Sequence, residues 1–428
     1  MRRRSLGFAV CLTWLLAACG GRRGPSATDF PAYPPGPLPC AGHAAPFAAS
    51  LQVGYAGDLA TVGAEGFGLR YQYLAGVLAP DAACLDPGRA RAVGCGSGSD
   101  WWGTWQDLQR PPGQFARDFV SANQAAGLTP MFTYYLLLPA ARQRLAIGEG
   151  APEVTVAARD LAFMTAYLAD FRFFLRQVGS ARAIVHVEPD FWGYAQHAAT
   201  SAATDAHGLP ARVASANPTD CAGQEESIAG LGRCMISMVR AYAPGALVSL
   251  HGSAWASGFD CVSNTAPGLD VAAEAARTAD FLAACGAASG DLVVIDLSDR
   301  DAGWYQRQKP SRNSWLDPTD SALPTFAQAF GWSRALAARL GRPALWWQVP
   351  VGNMSRANSC DAQGHGAYQD DKLDYFLDHP DRVAASGAVG VAFGGGADCQ
   401  TTPENDGGRL VARARALSAA GGQPLCVP

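Results

Sequence analysis

Short apolar runs alternate with longer amphipathic stretches from residue 51 onward. The short runs have the length and the β-branched and aromatic content of strands, whereas the longer stretches repeat apolar residues at helical spacing. This alternation favours parallel strands joined by crossover helices. The predicted strands are 51–55, 69–73, 129–134, 183–188, 246–251, 292–296, 344–348 and 388–393.

Helical patterns follow most of these strands. The clearest spans 156–178, and its apolar face holds Leu161, Met164, Leu168, Phe171 and Leu175. The other predicted helices are 113–126, 227–243, 272–284, 322–340, 368–385 and 408–419. Eight such units predict an α/β fold, a single-domain (β/α)8 barrel over residues 51–428.

The connection 80–110 is long and has only a weak helical pattern. The alternative is therefore a barrel of seven strands, with 69–73 outside it.

Acidic and aromatic residues come directly after the fourth predicted strand, in Ala183-Ile-Val-His-Val-Glu-Pro-Asp-Phe-Trp-Gly-Tyr194. In parallel barrels the carboxyl ends of the strands carry the chemistry. Side chains alternate along a strand, so if Val185 faces the helices, His186 and Glu188 face the barrel axis. The same alternation directs further pairs inward: Ser249 and His251, Val294 and Asp296, Trp346 and Gln348. Four successive strands thus end on a polar residue.

Aromatic, amide and imidazole side chains surround these strand ends. Such a mixture suits sugars, whose C–H faces stack on rings while their hydroxyls form hydrogen bonds. Packing in the core is an equally open role for Trp192, Trp255 and Trp304. The candidate substrate-binding residues are Tyr134, Tyr135, Trp192, Tyr194, His251, Trp255, Trp304, Gln348 and Asn353.

Cleavage of a glycosidic bond usually needs two carboxyl groups, an acid and a base or nucleophile. The candidates are Glu188 and Asp190 after the fourth strand, and Asp296 and Asp299 after the sixth. Glu188 and Asp296 have an alternative role as buried partners of His251 or of Arg70. Asp299 has an alternative role in helix capping and surface solvation.

The stretch Val187-Glu188-Pro189-Asp190 resembles the Ile-Glu-Pro-Asp stretch of glycoside hydrolase family 6 cellulases. This resemblance implies that Asp190 is the general acid and Glu188 a supporting carboxylate. The family's Asp-Ala-Gly-His signature on the fifth strand is replaced here by Leu250-His-Gly-Ser-Ala-Trp255. Its aspartate-bearing stretch after the third strand is replaced by Thr133-Tyr-Tyr-Leu-Leu-Leu-Pro139. The prediction is therefore a glycoside-hydrolase-like barrel, with the family, the substrate and the catalytic base left open.

The leading functional hypothesis is a glycoside hydrolase acting on a polysaccharide or oligosaccharide. The alternatives are a non-catalytic glycan-binding lipoprotein on a degenerate barrel, and a metal-dependent hydrolase. His186, Glu188, Asp190 and His251 are legitimate metal ligands, but no HxH or HExxH spacing occurs, so neither a metal nor another cofactor is expected. A net charge of −4 gives no basic surface for nucleic acid. The oligomeric state is left open.

The amino terminus has the pattern of a bacterial lipoprotein signal. Basic residues precede an apolar core over 6–16, and Leu16-Ala-Ala-Cys19 resembles a lipobox. These features predict a signal peptide over 1–18, acylation of Cys19 and a flexible tether over 19–50. Gly20 in place of an aspartate favours anchoring at the outer membrane of the cell envelope; a plain signal peptide is the alternative.

The chain contains twelve cysteines, and removing Cys11 with the signal and Cys19 to lipid leaves ten. An even number in an exported protein favours disulfides. Pairing of nearest neighbours predicts Cys84–Cys95, Cys221–Cys234, Cys261–Cys285, Cys360–Cys399 and Cys40–Cys426.

Overall fold

Eight parallel strands close into a barrel in the computed structural model, which describes residues 49–86, 95, 100–106, 110–396 and 398–425. Each strand pairs with its neighbours in sequence, and the last returns to the first. The strands are β1 (Gln52–Ala56), β2 (Leu69–Leu74), β3 (Thr129–Tyr134), β4 (Ala183–Val187), β5 (Ala246–Gly252), β6 (Val293–Asp296), β7 (Ala344–Val349) and β8 (Ala388–Phe393).

The eight predicted strands are therefore confirmed, and their ends differ by no more than a residue or so. The alternative with seven strands is wrong, because β2 pairs with both β1 and β3. The α/β barrel is a single domain, as the alternation of strand and helix patterns predicted.

Helices surround the barrel and cover its outer face. They are α1 (Leu59–Val62), α2 (Gln114–Ala125), α3 (Leu137–Leu145), α4 (Ala151–Thr155), α5 (Leu161–Val178), α6 (Pro189–Ser201), α7 (Ile228–Tyr242), α8 (Val271–Ala284), α9 (Ala302–Gln308), α10 (Phe326–Leu340), α11 (Lys372–Asp378), α12 (Pro380–Ala385) and α13 (Arg409–Ala419). None of the helices in the described ranges is long and apolar enough to cross a membrane.

Three predicted helices differ from the observed ones for local reasons. The helix predicted over 322–340 begins at Phe326, where the Thr325 side chain accepts a hydrogen bond from the Gln328 amide. The helix predicted over 156–178 begins at Leu161, because the Asp160 side chain accepts a hydrogen bond from the Phe163 amide and caps it. The helix predicted over 368–385 is divided into α11 and α12. The division falls at Pro380, which has no amide hydrogen to continue the helical ladder.

The barrel wall separates two apolar layers. Val185, Val187 and Ile295 pack outward against the helices. The inner layer lies inside the barrel and holds Leu69, Tyr71, Met131, Ile184, Leu292, Val294, Leu345, Trp347 and Ala392. The predicted alternation is thus correct for β6 and for His186 on β4.

The predicted alternation is wrong for β7. Trp346 packs outward on Phe330 and Phe376, whereas Trp347 faces the axis. The Cα register between β7 and β8 then shifts by one residue, and Gln348 has a positive φ of 56°. This irregularity allows Gln348 to reach the barrel mouth although Trp347 before it also points inward.

Three predicted disulfides are confirmed: Cys84–Cys95, Cys221–Cys234 and Cys360–Cys399. The predicted Cys261–Cys285 bridge is wrong, because both cysteines are free and buried. Cys261 precedes the 14-residue helix α8, and Cys285 follows its last residue. The predicted Cys40–Cys426 pair lies outside the described residues, as do Cys19, the signal segment and nearly all of the tether.

Candidate active site

A cleft of about 860 Å³ opens at the carboxyl ends of the strands. Two smaller cavities, of about 240 and 20 Å³, lie among residues at the opposite ends of the strands. Many charged and aromatic side chains line the cleft. The lining consists of Tyr73, Ala75, Tyr135, Arg142, Glu149, Pro189, Asp190, Tyr194, His251, Trp255, Asp260, Asp296, Asp299, Arg300, Tyr305, Lys309, Arg312, Trp347, Gln348, Gly395 and Gly396.

Two aspartates enter this cleft from different strands of the barrel. Asp190 lies in the first turn of α6, immediately after β4, and Asp296 is the last residue of β6. Tyr73 lies close enough to both carboxylates to interact electrostatically with each of them. A bound ring in the cleft would therefore have one carboxylate on the β4 side and another on the β6 side.

Burial in the cleft raises the pKa of Asp190 to about 6. The negative charges of Asp296 and Glu149 act in the same direction, whereas a hydrogen bond from Tyr135 opposes the change, as would a protonated His251. A carboxyl group with a raised pKa retains its proton in mildly acidic solution, which is what a general acid needs.

Asp296 has a different environment. Its Oδ1 lies 3.1 Å from Nε2 of His251, which is almost fully buried beneath the cleft. The edge of Trp347 contacts the imidazole of His251, with ring centroids 5.8 Å apart. The two carboxylates of the cleft thus differ, since one is desolvated and the other is bonded to an imidazole.

Glu188 does not enter the cleft, contrary to the prediction. Its φ of 45° turns the chain after β4, and the side chain is only 1% exposed. Oε1 accepts hydrogen bonds from the amides of Leu136 and Leu137, both at 3.0 Å, and from the Tyr167 hydroxyl at 2.8 Å. Glu188 therefore holds the β3–α3 connection against α5, which is a structural role. Burial raises the pKa of its carboxyl to about 7.

Four other predicted binding residues also lie outside the cleft lining. Tyr134 faces outward and donates to Asp170 at 3.0 Å. Trp192 is 1% exposed and donates its indole N–H to the carbonyl of Val187. The Asn353 side chain accepts two hydrogen bonds from Ser355, within its own turn. Trp304 packs behind the rim, beneath the guanidinium of Arg300 and the ammonium of Lys309.

Aromatic residues form the β4–β5 side of the cleft. Trp255 packs on Tyr194, with ring centroids 4.8 Å apart, and the Tyr194 hydroxyl donates to Glu149 at 2.7 Å. The Trp255 ring also covers Gly193, where an added Cβ would lie 2.5 Å from it. Tyr135 completes this side, so three of the predicted aromatic residues line the cleft together.

Charged residues form the β6 side. Asp299 accepts hydrogen bonds from Arg300 and from the Tyr305 hydroxyl, and it lines the cleft. Arg312 lies over the Tyr305 ring at 4.5 Å. The structure thus brings together Asp190, Asp296, Asp299, Tyr135, Tyr194, His251, Trp255 and Gln348 among the predicted site residues.

The sequence analysis missed several cleft residues. Tyr73 has the same strand parity as Leu69 and Tyr71, so alternation along β2 could have found it. Trp347 was missed because the irregularity in β7 reverses the expected parity. No sequence signal marks the other cleft residues from loops and helices: Arg142, Glu149, Asp260, Arg300, Lys309 and Arg312.

No group of three or more His, Cys, Asp or Glu side chains within the described ranges is arranged to hold a metal ion. Among the four ligands considered from the sequence, Glu188 is turned away from the cleft. His186 and His251 are hydrogen-bonded to each other, with Nε2 of the first 3.1 Å from Nδ1 of the second.

No protein-family model matches the sequence, and a search of curated proteins finds no match. Similar solved structures include the endoglucanase Cel6 from Mycobacterium tuberculosis, with 17% identity, 58% coverage of each chain and a TM-score of 0.28. They also include the GH53 catalytic domain from Ignisphaera aggregans, with 13% identity, 79% of this chain and 80% of that chain covered, and a TM-score of 0.40.

A third is the GH113 β-mannanase AaManA from Alicyclobacillus acidocaldarius, with 14% identity, 87% and 97% coverage and a TM-score of 0.39. The sequence identities and TM-scores of all three are low.

Proposed function

We propose that the protein is a glycoside hydrolase that cleaves a polysaccharide or oligosaccharide by carboxylate catalysis. The observation that carries this proposal is the pair Asp190 and Asp296, two carboxyl groups with unlike environments in one cleft. Hydrolysis of a glycosidic bond needs such a pair, one protonated and one ionised.

Asp190 is the proton donor in this proposal. Its raised pKa keeps a fraction of the carboxyl protonated in mildly acidic solution, and its position after β4 places it on the cleft wall. It would protonate the leaving oxygen as the glycosidic bond breaks.

Asp296 is the partner carboxylate. It acts either as the base that activates water or as the nucleophile, and His251 binds one of its oxygens. Asp299 is engaged by Arg300 and Tyr305, which suits it to holding the cleft wall and binding sugar hydroxyls.

The remaining cleft residues suit a sugar. Trp255 and Tyr194 provide ring faces for stacking, while Gln348 provides an amide for hydroxyl groups. The edge of Trp347 lies beneath them, against His251.

The test is the release of reducing ends from a panel of neutral and acidic glycans by the purified chain. Asp190→Asn and Asp296→Asn should each lower the rate by about 100-fold or more while leaving the fold intact. Asp280→Asn, a surface aspartate on α8 paired with Arg339, is the matched control and should keep full activity. Full activity in both cleft variants would reject the assignment.

A second candidate function is non-catalytic glycan binding. It is favoured by the end of β7, where Gln348 stands in the cleft and no carboxylate does, and by the burial of Glu188 after β4. Saturable oligosaccharide binding with no new reducing ends from any glycan would support this candidate over hydrolysis.

We also propose that the chain is a lipoprotein of the bacterial cell envelope, acylated on Cys19 and anchored at the outer membrane. The support is the sequence Leu16-Ala-Ala-Cys19 after a basic and apolar segment. Mass spectrometry of the mature amino terminus should find a diacylglyceryl cysteine, and Cys19→Ala should release the chain from the membrane fraction. An unmodified amino terminus at another residue would contradict this.

A further inference from the structure

A row of four polar side chains crosses the inside of the barrel on adjacent strands, β3 to β6. Thr133 Oγ1 lies 3.1 Å from His186 Nδ1. His186 Nε2 lies 3.1 Å from His251 Nδ1, and His251 Nε2 lies 3.1 Å from Asp296 Oδ1. The first three side chains are at most 1% exposed, whereas Asp296 lines the cleft. The row therefore connects the sealed barrel interior to the proposed catalytic carboxylate.

The geometry of the barrel itself produces this row. His186 is the register partner of Ser249, but it bonds to His251, two residues nearer the mouth. His251 is the register partner of Val294, but it bonds to Asp296, again two residues further along. Strands in a barrel are tilted and staggered, which brings side chains offset in this way to the same level. The contacts thus depend on regular strands and not on loops.

For a neutral His251, counting donors and acceptors fixes the protons along the row. An ionised Asp296 can only accept, so Nε2 of His251 carries a hydrogen, and Nδ1 of the neutral ring is an acceptor. His186 Nε2 then donates to it. Burial holds the pKa of His186 well below its usual range, so the His186 ring is neutral as well. Its Nδ1 accepts from the Thr133 hydroxyl, and every ring nitrogen has a partner.

We propose that Thr133, His186 and His251 form a positioning relay that holds His251 as an Nε2–H donor to Asp296. The relay fixes which nitrogen of His251 carries the hydrogen, and it thereby keeps Oδ1 of Asp296 engaged and directs Oδ2 at the substrate. Thr133 and His186 touch neither substrate nor cleft, so they act through His251.

Packing alone does not account for these residues. A buried polar row is tolerated only when every member is paired, because an unpaired polar group in the core costs about 1–3 kcal/mol. The lower layer of the barrel, with Met131, Ile184 and Val294, is filled by apolar side chains that need no partners. Trp347 contacts both imidazoles edge-on, with centroids 4.9 Å from His186 and 5.8 Å from His251.

The tautomers can be read directly by long-range ¹H–¹⁵N correlation spectra of protein labelled at its seven histidines. Signals are assigned from single His→Gln variants. In the full chain at neutral pH, the relay predicts that His186 and His251 are both neutral and protonated on Nε2. A hydrogen on Nδ1 of His251, or a charged His186, in the wild-type spectrum would overturn the proposal.

Thr133→Val removes the hydroxyl but keeps the shape and the strand preference of the side chain. It should shift the His186 Nδ1 signal and allow a mixture of tautomers at both rings, and Thr133→Ser should restore the wild-type spectrum. Unchanged imidazole spectra in Thr133→Val would contradict the relay. If Thr133→Val does not fold, the tautomers observed in the wild-type protein still test the proposal.

The catalytic consequence rests on the proposed hydrolase function. With a glycan that the wild type cleaves, Thr133→Val should lower kcat by about 10-fold with little change in KM, because the sugar contacts are untouched. Thr133→Ser should recover most of the rate. If the tautomers are as predicted but the wild-type protein cleaves no glycan, the hydrolase function is rejected and the relay is kept. If Thr133→Val is active with an unchanged kcat, the role of the relay in catalysis is rejected.

Discussion

Replacing Asp190 by asparagine should make the protein more stable at neutral pH. Burial raises the pKa of this carboxyl from 3.8 to about 6, so the ionised form is disfavoured in the folded state. That difference corresponds to about 3 kcal/mol of destabilisation once the group is ionised in both states. Solvent in the cleft and loss of the hydrogen bond with Tyr135 reduce the expected gain for Asp190→Asn to about 1–2 kcal/mol.

The gain in stability expected for Asp190→Asn depends on pH. Below the unfolded pKa both states hold the proton, so the variant gains nothing; the gain grows as pH rises towards the folded pKa of about 6 and is constant above it. Urea unfolding with the disulfides intact, at about pH 8 and about pH 4, measures the difference. Asp280→Asn on the surface should change stability by less than about 0.5 kcal/mol at either pH. No gain at the higher pH, or an equal gain at both, would refute the reasoning about Asp190.

Three further predictions concern other carboxylates and the activity profile. If Asp190 is the general acid, the hydrolytic rate should fall as pH rises through about 6, because the proton donor is lost; a rate that instead rises through this range in a pH profile of kcat would exclude it. Lys372→Met should lower the free energy of unfolding by about 3–5 kcal/mol, because it leaves the fully buried Asp370 without its ammonium partner at 3.0 Å. A decrease of less than about 1 kcal/mol, measured by denaturant unfolding, would contradict this. Asp317→Asn should lower the free energy of unfolding by about 1 kcal/mol at neutral pH. The reason is that hydrogen bonds, the strongest from the Ser321 hydroxyl, hold the pKa of Asp317 well below its usual range. This loss of stability should disappear as pH falls through the pKa of Asp317 in the folded state, and a loss that is independent of pH would contradict the prediction.

The barrel could be predicted from the sequence because its signals are local and repeated. Each strand is a short apolar run, and each long helix has an apolar face, so eight similar units reinforce one interpretation. Asp190 was found because it directly follows a strand whose alternation is regular. The Cys84–Cys95 and Cys221–Cys234 disulfides were found because their cysteines are only 11 and 13 residues apart.

The errors arise where the backbone departs from regular geometry. A positive φ at Glu188 turns its carboxylate away from the cleft, and a positive φ at Gln348 accompanies the irregularity that reverses the roles of Trp346 and Trp347. A simple alternation of side chains contains neither feature. Tyr134 is a different case, because Thr133 before it faces inward, so alternation alone would have excluded it from the cleft.

Beyond Asp296 and Asp299, several residues on the β6 side of the cleft had no sequence signal. Lys309 and Arg312 come from the irregular segment after the short helix α9. Their positions depend on contacts between loops that are distant in sequence, such as Arg300 with Asp398. Patterns within one stretch cannot report such contacts.

The central claim is that Asp190 donates a proton to the leaving group and Asp296 acts on the other side of the same bond. The most direct measurement compares each variant on a natural glycan and on an aryl glycoside of the same sugar, whose acidic phenol leaves without a proton donor. Asp190→Asn should lose the natural glycan and retain most activity on the aryl glycoside, whereas Asp296→Asn should lose both. Equal losses on the two substrates in Asp190→Asn, or full activity on both in Asp296→Asn, would contradict the account.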